Sequence, residues 1–310
     1  MIRLRHQSKP LYMRATALLL LLLTLTLAAC GSSAAGSPAE ASNCTPKISL
    51  KQLTLGIIPA ENATKVADST KGFADAVSKK LCVPVQVFVG TNYTATIEAL
   101  ASKKVDVAWF GPFSYVLAAD KYNAQAILMQ LSSSGQDHYF SYIVTTPKTG
   151  IKSVADLKGH GFSFVDPAST SGNLVPRYTM VKNGLDPDKD VKGTFAGGHD
   201  ASLLAVLSGK VDAGAVASDT YNEFLKQGKF KDGELTIVGK SDALPEGPLA
   251  VDKGMKQSDK DAIRDAFVSI KDKAVLNDYV GQGFVATDDS KFNSIRDIAK
   301  TLKLNLNKLS

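Results

Sequence analysis

Ala101-Ser102-Lys103-Lys104-Val105-Asp106-Val107-Ala108 and Leu207-Ser208-Gly209-Lys210-Val211-Asp212-Ala213-Gly214 echo one another. Each reads as the end of a helix, a tight turn, and a strand that delivers a loop to one edge of a sheet. Around each echo, short β-branched runs alternate with helical stretches, the pattern of α/β architecture with mainly parallel sheets. Upstream, Leu53–Ile58 reads as a strand and Asn62–Lys80 as a helix, with Val66, Phe73, Val77 and Leu81 at helical spacing. Val83–Val89 (strand), Tyr93–Ser102 (helix) and Val105–Phe110 (strand) follow. Pro112–Asp120 starts a helix on the proline tolerated in a first turn, and Ala126–Leu131 is a fourth strand.

The second unit begins with a strand at Tyr139–Thr145 and a short helix at Lys152–Gly159. Strands at Gly161–Val165, Gly193–Ala196, Val211–Ala217 and Leu235–Gly239 then alternate with helices at Ser171–Asn183, His199–Ser208 and Asp219–Gln227. Pro248–Val251 leads the chain back, and amphipathic helices at Lys256–Lys271 and Asp289–Leu302 are expected on the first unit. The reading is a two-lobed clamshell: residues 47–140 plus 247–310 form lobe 1, and residues 141–246 form lobe 2. Two crossovers near Tyr139–Thr146 and Gly239–Val251 act as hinges. In open α/β sheets ligands sit beyond the carboxyl ends of the strands, so both sets of loops face one cleft.

The N-terminus sets the compartment. Arg3, Arg5, Lys9 and Arg14 precede an apolar run, Ala15–Ala29, broken only by threonines and too short to span a bilayer comfortably. Residues 1–29 read as a signal peptide. Leu27-Ala28-Ala29-Cys30 resembles the bacterial lipoprotein cleavage box, which implies lipidation of Cys30 and anchorage on the outer face of the cell membrane. Residues 30–46 follow as a tether, because Gly31–Asn43 is too rich in Gly, Ser, Ala and Pro to bury a core. The formal net charge of +6 owes four of its cations to the signal, so the mature chain is nearly balanced. Without a basic stripe interleaved with aromatics, nucleic acid is excluded as a partner. Outside the cytoplasm Cys44 and Cys82, flanking neighbouring strands, are expected to pair. There is no CxxC, His/Cys cluster or HExxH, so neither a metal nor another cofactor is expected.

Five stretches stand in a telling order: LTLGIIPAENATK (Leu53–Lys65), AWFGPFSYVLA (Ala108–Ala118), VADLKG (Val154–Gly159), FVDPASTSGNLVP (Phe164–Pro176) and GGHDASLLAVLSGKVDAG (Gly197–Gly214). Together they resemble the phosphate/phosphite/phosphonate-binding proteins of ABC importers, which have the type II periplasmic-binding-protein fold. The resemblance runs from about Leu53 to about Val251. It implies a monomeric solute-binding protein that serves permease subunits and a cytoplasmic ATPase.

A small tetrahedral anion in a cleft needs every oxygen hydrogen-bonded, since an unsatisfied buried charge is very costly. Ser169, Thr170 and Ser171, before Gly172, open a helix after the Asp166-Pro167 turn. Three hydroxyls on the positive end of a helix dipole make an anion cradle, where one would suffice as a cap. His199 follows two glycines at another helix start, and the resemblance implies that it hydrogen-bonds the anion. The resemblance also places tyrosines from lobe 1 on the anion, here Tyr93 and Tyr115. Trp109 and Phe110 are expected as cleft wall or core. Asp219 is the outlying acid: it either caps its helix or, as in relatives taking aminoalkyl phosphonates, meets a ligand ammonium. Those relatives carry a second acid just before a proline. Here Leu244-Pro245-Glu246-Gly247-Pro248 has Gly at that position and Glu one residue earlier, a departure that favours methylphosphonate or phosphite. Phosphate, a sulfonate or a phosphorylated vitamin precursor remain alternatives on the same fold. Ser171, His199 and Asp219 could be written as a hydrolase triad, but no GxSxG elbow frames the serine, and the chain reads as a binding protein and not an enzyme.

Overall fold

The computed structural model describes residues 44–304. The signal peptide, Cys30 and most of the tether lie outside the described residues. Lobe 1 starts with strand β1 (Leu53–Ile57), helix α1 (Ala63–Leu81), β2 (Val85–Val89), α2 (Tyr93–Ala101), β3 (Val107–Trp109), α3 (Pro112–Tyr122) and β4 (Ala124–Leu131). The two-residue β5 (His138–Tyr139) leads to β6 (Ser141–Thr145). Lobe 2 continues with β7 (Gly161–Phe164), α4 (Val175–Lys182), β8 (Lys192–Phe195), α5 (His199–Leu207), β9 (Ala213–Ala217), α6 (Ser218–Lys226) and β10 (Thr236–Lys240). The chain returns through β11 (Leu244–Pro245) and β12 (Pro248–Asp252), then α7 (Gln257–Val268), β13 (Gly283–Ala286) and α8 (Asn293–Thr301).

The two sheets repeat one plan. Lobe 1 has the order β2-β1-β3-β12-β4, extended by β13, and lobe 2 has β8-β7-β9-β6-β10. In each, the first three strands are parallel, and the fourth is an antiparallel strand entering from a crossover. The echo has a structural cause. Asp106 accepts the Thr54 N–H at 2.7 Å and Asp212 the Gly161 N–H at 2.9 Å, so each carboxylate holds an N–H at the start of the neighbouring parallel strand. The turns before them match as well. Lys103 and Gly209 take left-handed backbone, donating to Leu100 O and Val206 O, while Lys104 and Lys210 donate to Ala99 O and Ala205 O.

Apolar spacing explains the layers. Val66, Phe73, Val77 and Leu81 bury one stripe of α1 against the lobe 1 sheet, where Phe73, Phe267 and Phe284 meet ring to ring. Asn62 caps α1 by accepting from the Thr64 and Lys65 N–H groups. At its far end Cys82 is joined to Cys44, with Cα atoms 5.6 Å apart.

Three expectations shift. β6 lies wholly inside the lobe 2 sheet, so the crossovers narrow to the ribbon in which Tyr139 pairs with Leu244 and His138 with Pro245. The edge strand β13 lies on β4, in a stretch with too little alternation to read from sequence. Helix α8 packs on α3 but also touches α4 of the second lobe, so it bridges the lobes instead of belonging to the first alone.

Candidate functional site

The lobes are closed on one another. Backbone from one side bonds the other: His199 N–H donates to Ala60 O at 2.8 Å, and Asn62 N–H to Asp200 at 3.0 Å. Phe113 N–H donates to Thr170 Oγ1 at 2.8 Å, and Tyr93 N–H to Asp166 at 3.3 Å. One buried cluster joins Ile58, Phe110 and Phe113 of lobe 1 to Val165, Ala168 and Leu174 of lobe 2. Between the lobes lies a cavity of about 130 Å³, lined by the carboxyl ends of the strands and the starts of the helices that follow.

Part of the cavity lining is built from neutral donors. Ser169, Thr170 and Ser171 are buried and open not an ordinary α-helix but a π-turn, Thr170–Leu174, that runs into α4. Gly172 is required there, because a Cβ would come within 2.3 Å of the Val165 side chain. Ser169 Oγ accepts the Gly172 N–H, and Thr170 Oγ1 accepts from Phe113, so both hydroxyl protons remain to be donated. His199 is buried at the start of α5, and desolvation lowers its pKa to about 4. Its Nδ1 accepts the Ala217 N–H at 3.1 Å, which fixes the neutral tautomer with the proton on Nε2. His199 therefore offers a donor without a charge. The phenols of Tyr93, Tyr139 and Tyr279 line the same cavity. Burial pushes all three pKa values up, so each stays a neutral donor.

The charged groups of the lining are acids. Glu61, Asp219, Glu223, Glu246 and Asp278 all border the cavity beside apolar groups such as Ile57, Trp109 and Phe110, and among the described residues no Lys or Arg lines it. Glu61 and Glu223, one from each lobe, share Lys65 Nζ at 2.7 and 2.9 Å, and Asp278 meets Lys226 across the cleft at 2.9 Å. Asp219 and Glu246 have no such cation among the described residues and act on each other instead. Burial raises the pKa of both, most strongly for Glu246, where the Asp219 charge adds to it. The glycine beside Glu246 is obligatory: a Cβ on Gly247 would stand 2.4 Å from Phe110 O. An acid has no room there, and Glu246 reaches the cleft from one residue earlier.

Of the residues expected from sequence, Tyr93, Ser169, Thr170, Ser171, His199 and Asp219 come together around the cavity. Tyr115 does not. Its hydroxyl donates to Asp289 at 2.7 Å and accepts the Ala126 N–H, and its ring packs on Phe292, so it faces the core of lobe 1. Helix α3 must pack as well as border the cleft, and position 115 falls on the packing side. Besides Tyr93 the cavity is lined by Tyr139, on the crossover between the lobes, and by Tyr279 of lobe 1, neither of which was expected from sequence. Trp109 and Phe110 line the wall.

A two-lobed α/β fold closed over a small cavity lined by neutral donors and acids defines a solute-binding protein, and the lobes have the type II plan. The chain belongs to the phosphonate periplasmic substrate-binding protein family of ABC transporters, whose model matches residues 55–292. It is 31% identical over 258 residues to the phosphonates-binding periplasmic protein of Escherichia coli K12, covering 80% of this chain and 76% of that one. It is 29% identical over 271 residues to the phosphate-import protein PhnD of Mycolicibacterium smegmatis, covering 79% and 84%. The crystal structure of a binding-protein component of an ABC phosphonate transporter from Pseudomonas aeruginosa superposes with a TM-score of 0.75 at 27% identity, covering 81% of this chain and 86% of that one. Membership makes the chain an extracytoplasmic transport component, not an enzyme.

Proposed function

We propose that this protein is a lipid-anchored, monomeric receptor, tethered through Cys30, that closes on a phosphonate whose carbon tail ends in an ammonium group and delivers it to an ABC permease. Ser169, Thr170, Ser171 and His199 hold the phosphonate oxygens from lobe 2, with Tyr93 from lobe 1 and Tyr139 from the crossover. Asp219 and Glu246 receive the ammonium. The observation that carries this reading is the make-up of the lining, which combines neutral donors with carboxyls and, among the described residues, contains no Lys or Arg. A dianion alone would satisfy the donors yet sit in the field of the acids; a zwitterion answers both. The glycine at position 247 no longer speaks against an aminoalkyl ligand, because Glu246 brings a carboxyl to Asp219.

A second reading has its own support. Hydrogen phosphate carries a P–OH that needs an acceptor, Asp219 offers one, and one relative bears the name of a phosphate-import protein. Calorimetry with 2-aminoethylphosphonate, ethylphosphonate, methylphosphonate, phosphite, phosphate and ethanesulfonate separates the two. The aminoalkyl ligand is expected to bind with Kd between roughly nanomolar and micromolar and more tightly than ethylphosphonate. Tighter binding of phosphate, phosphite or methylphosphonate would overturn the ammonium reading, and tighter binding of the sulfonate would overturn the phosphonate reading as well.

A further inference from the structure

We infer that Asp219 and Glu246 share one proton in the empty cleft and that a ligand ammonium expels it, so that loading of this receptor releases a proton. The inference rests on the aminoalkyl reading above and adds its proton linkage. The two side chains arrive from different elements, Asp219 from the first turn of α6 and Glu246 from the returning crossover, where its N–H is fixed to Asp137 O at 3.1 Å. Both carboxyls border the same cavity and act on one another, and with no cation among the described residues to neutralise it the buried pair holds a proton. Glu246 Oε1 is buried and meets no N–H or hydroxyl donor of the protein. The groups facing the pair do not supply the missing charge. Ser218 Oγ donates to Asp219 at 3.3 Å, Gly247 N–H donates to Glu246, and the Tyr139 and Tyr142 phenols lie near Asp219. Asp137 adds a like charge near Glu246, but it is held by Lys291 and His138. Elsewhere on the cavity Glu61 and Glu223 are paired with Lys65, Asp278 is paired with Lys226, the Tyr93 and Tyr279 phenols are uncharged, and His199 is neutral.

The step balances simply. The Glu246 O–H bond breaks, the proton leaves to solvent, the ammonium keeps its three protons, and both carboxylates face it. Ligand and proton therefore compete for one site, and burial keeps the proton on Glu246 to a higher pH than an ordinary carboxyl would hold it. Affinity for the cationic ligand falls as pH drops below the raised Glu246 pKa, by up to about tenfold per pH unit. A ligand without a cation leaves the shared proton in place. The pair then acts as a specificity element, because the cost of expelling the proton is recovered only by a positive tail.

The test is calorimetry of 2-aminoethylphosphonate with wild type and Glu246→Gln in two buffers of different ionisation heat. Using one ligand for both proteins cancels the ligand's own proton exchange. Wild type is expected to release roughly one proton more than the variant, because the glutamine donates an N–H to Asp219 and has no proton to lose. Difference infrared spectroscopy on wild type gives a readout that needs no variant: the carbonyl band of a protonated carboxyl is expected to vanish when ligand is added. If the aminoalkyl ligand binds no tighter than ethylphosphonate, the ammonium reading fails. If it binds tighter, yet both proteins exchange equal protons and no carboxyl band is lost, the shared proton is refuted and the ammonium reading stands.

Discussion

Thr170→Val tests the closed cleft most directly, because this one hydroxyl serves both the ligand and the closure. Its oxygen accepts the Phe113 N–H of lobe 1 at 2.8 Å, and its proton is left to be donated into the cavity. Valine keeps the shape and removes both roles. A lost hydrogen bond to a charged group costs about 1.5–3 kcal/mol, and a buried N–H left without a partner costs about 1–3 kcal/mol more. The second cost falls only on the closed form, since opening returns the Phe113 N–H to water. Together they amount to about 2.5–6 kcal/mol, or roughly a hundredfold to ten-thousandfold in Kd. Thr170→Ser retains the hydroxyl and is expected to bind close to wild type. Calorimetry gives the affinities, and solution scattering with ligand reports whether the valine variant still closes. A valine variant that binds within tenfold of wild type, or a serine variant that loses as much as the valine, would refute the double role.

Tyr139→Phe is expected to weaken ligand binding by about tenfold or more, while Tyr115→Phe leaves affinity unchanged and lowers the melting temperature, as calorimetric titration and thermal melts of both variants will check. The His199 pKa is lowered by burial, so the native state binds this proton less readily than the unfolded chain; its stabilising contribution is intact above about pH 6.5 and is lost as pH falls toward 4, on the order of 3 kcal/mol in all. Denaturant melts across that range should show the loss in wild type and not in His199→Gln. Reducing the Cys44–Cys82 bridge should cost stability by about 2–4 kcal/mol in a denaturant titration without changing affinity, because it closes the end of α1 remote from the cleft. Cys30→Ser should release the protein from membranes on fractionation; a variant still membrane-bound with its leader uncleaved would mean that Ala15–Ala29 is an anchor.

What the sequence could carry was local and periodic. The echo at Val105-Asp106 and Val211-Asp212 was legible because one helix end, one left-handed turn and one strand-holding carboxylate were needed twice, and the same physics produced the same residues. The hydroxyl run before Gly172 was legible for a similar reason, since donors must be contiguous to line one turn. The choice between Tyr115 and Tyr139 was not. Both follow a strand near the cleft, and only the packing of α3 on α8 turns Tyr115 toward Asp289. The register of the acid was hidden too: that position 247 admits no side chain depends on Phe110 O, far away in the chain.

The donors and the acids on the cavity lining explain one another. An anion site of Ser, Thr, Tyr and neutral His carries no formal charge of its own, so it binds by direction: each donor points where an oxygen must be. Such a site loses little when the anion is absent, because no buried cation is stranded in the empty cleft. The acids follow the same logic by a different route. Two carboxylates without a cation would be the stranded charge that the donors avoid, and a shared proton removes half of it. Glu61 and Glu223 solve the same problem with Lys65, and Asp278 with Lys226, each using a contact made across the lobes. Those cations close the cleft, whereas a proton can leave it. Among the described residues Asp219 and Glu246 are thus the acidic pair on the lining that no lysine neutralises, and the proposed choice among phosphonates rests on them.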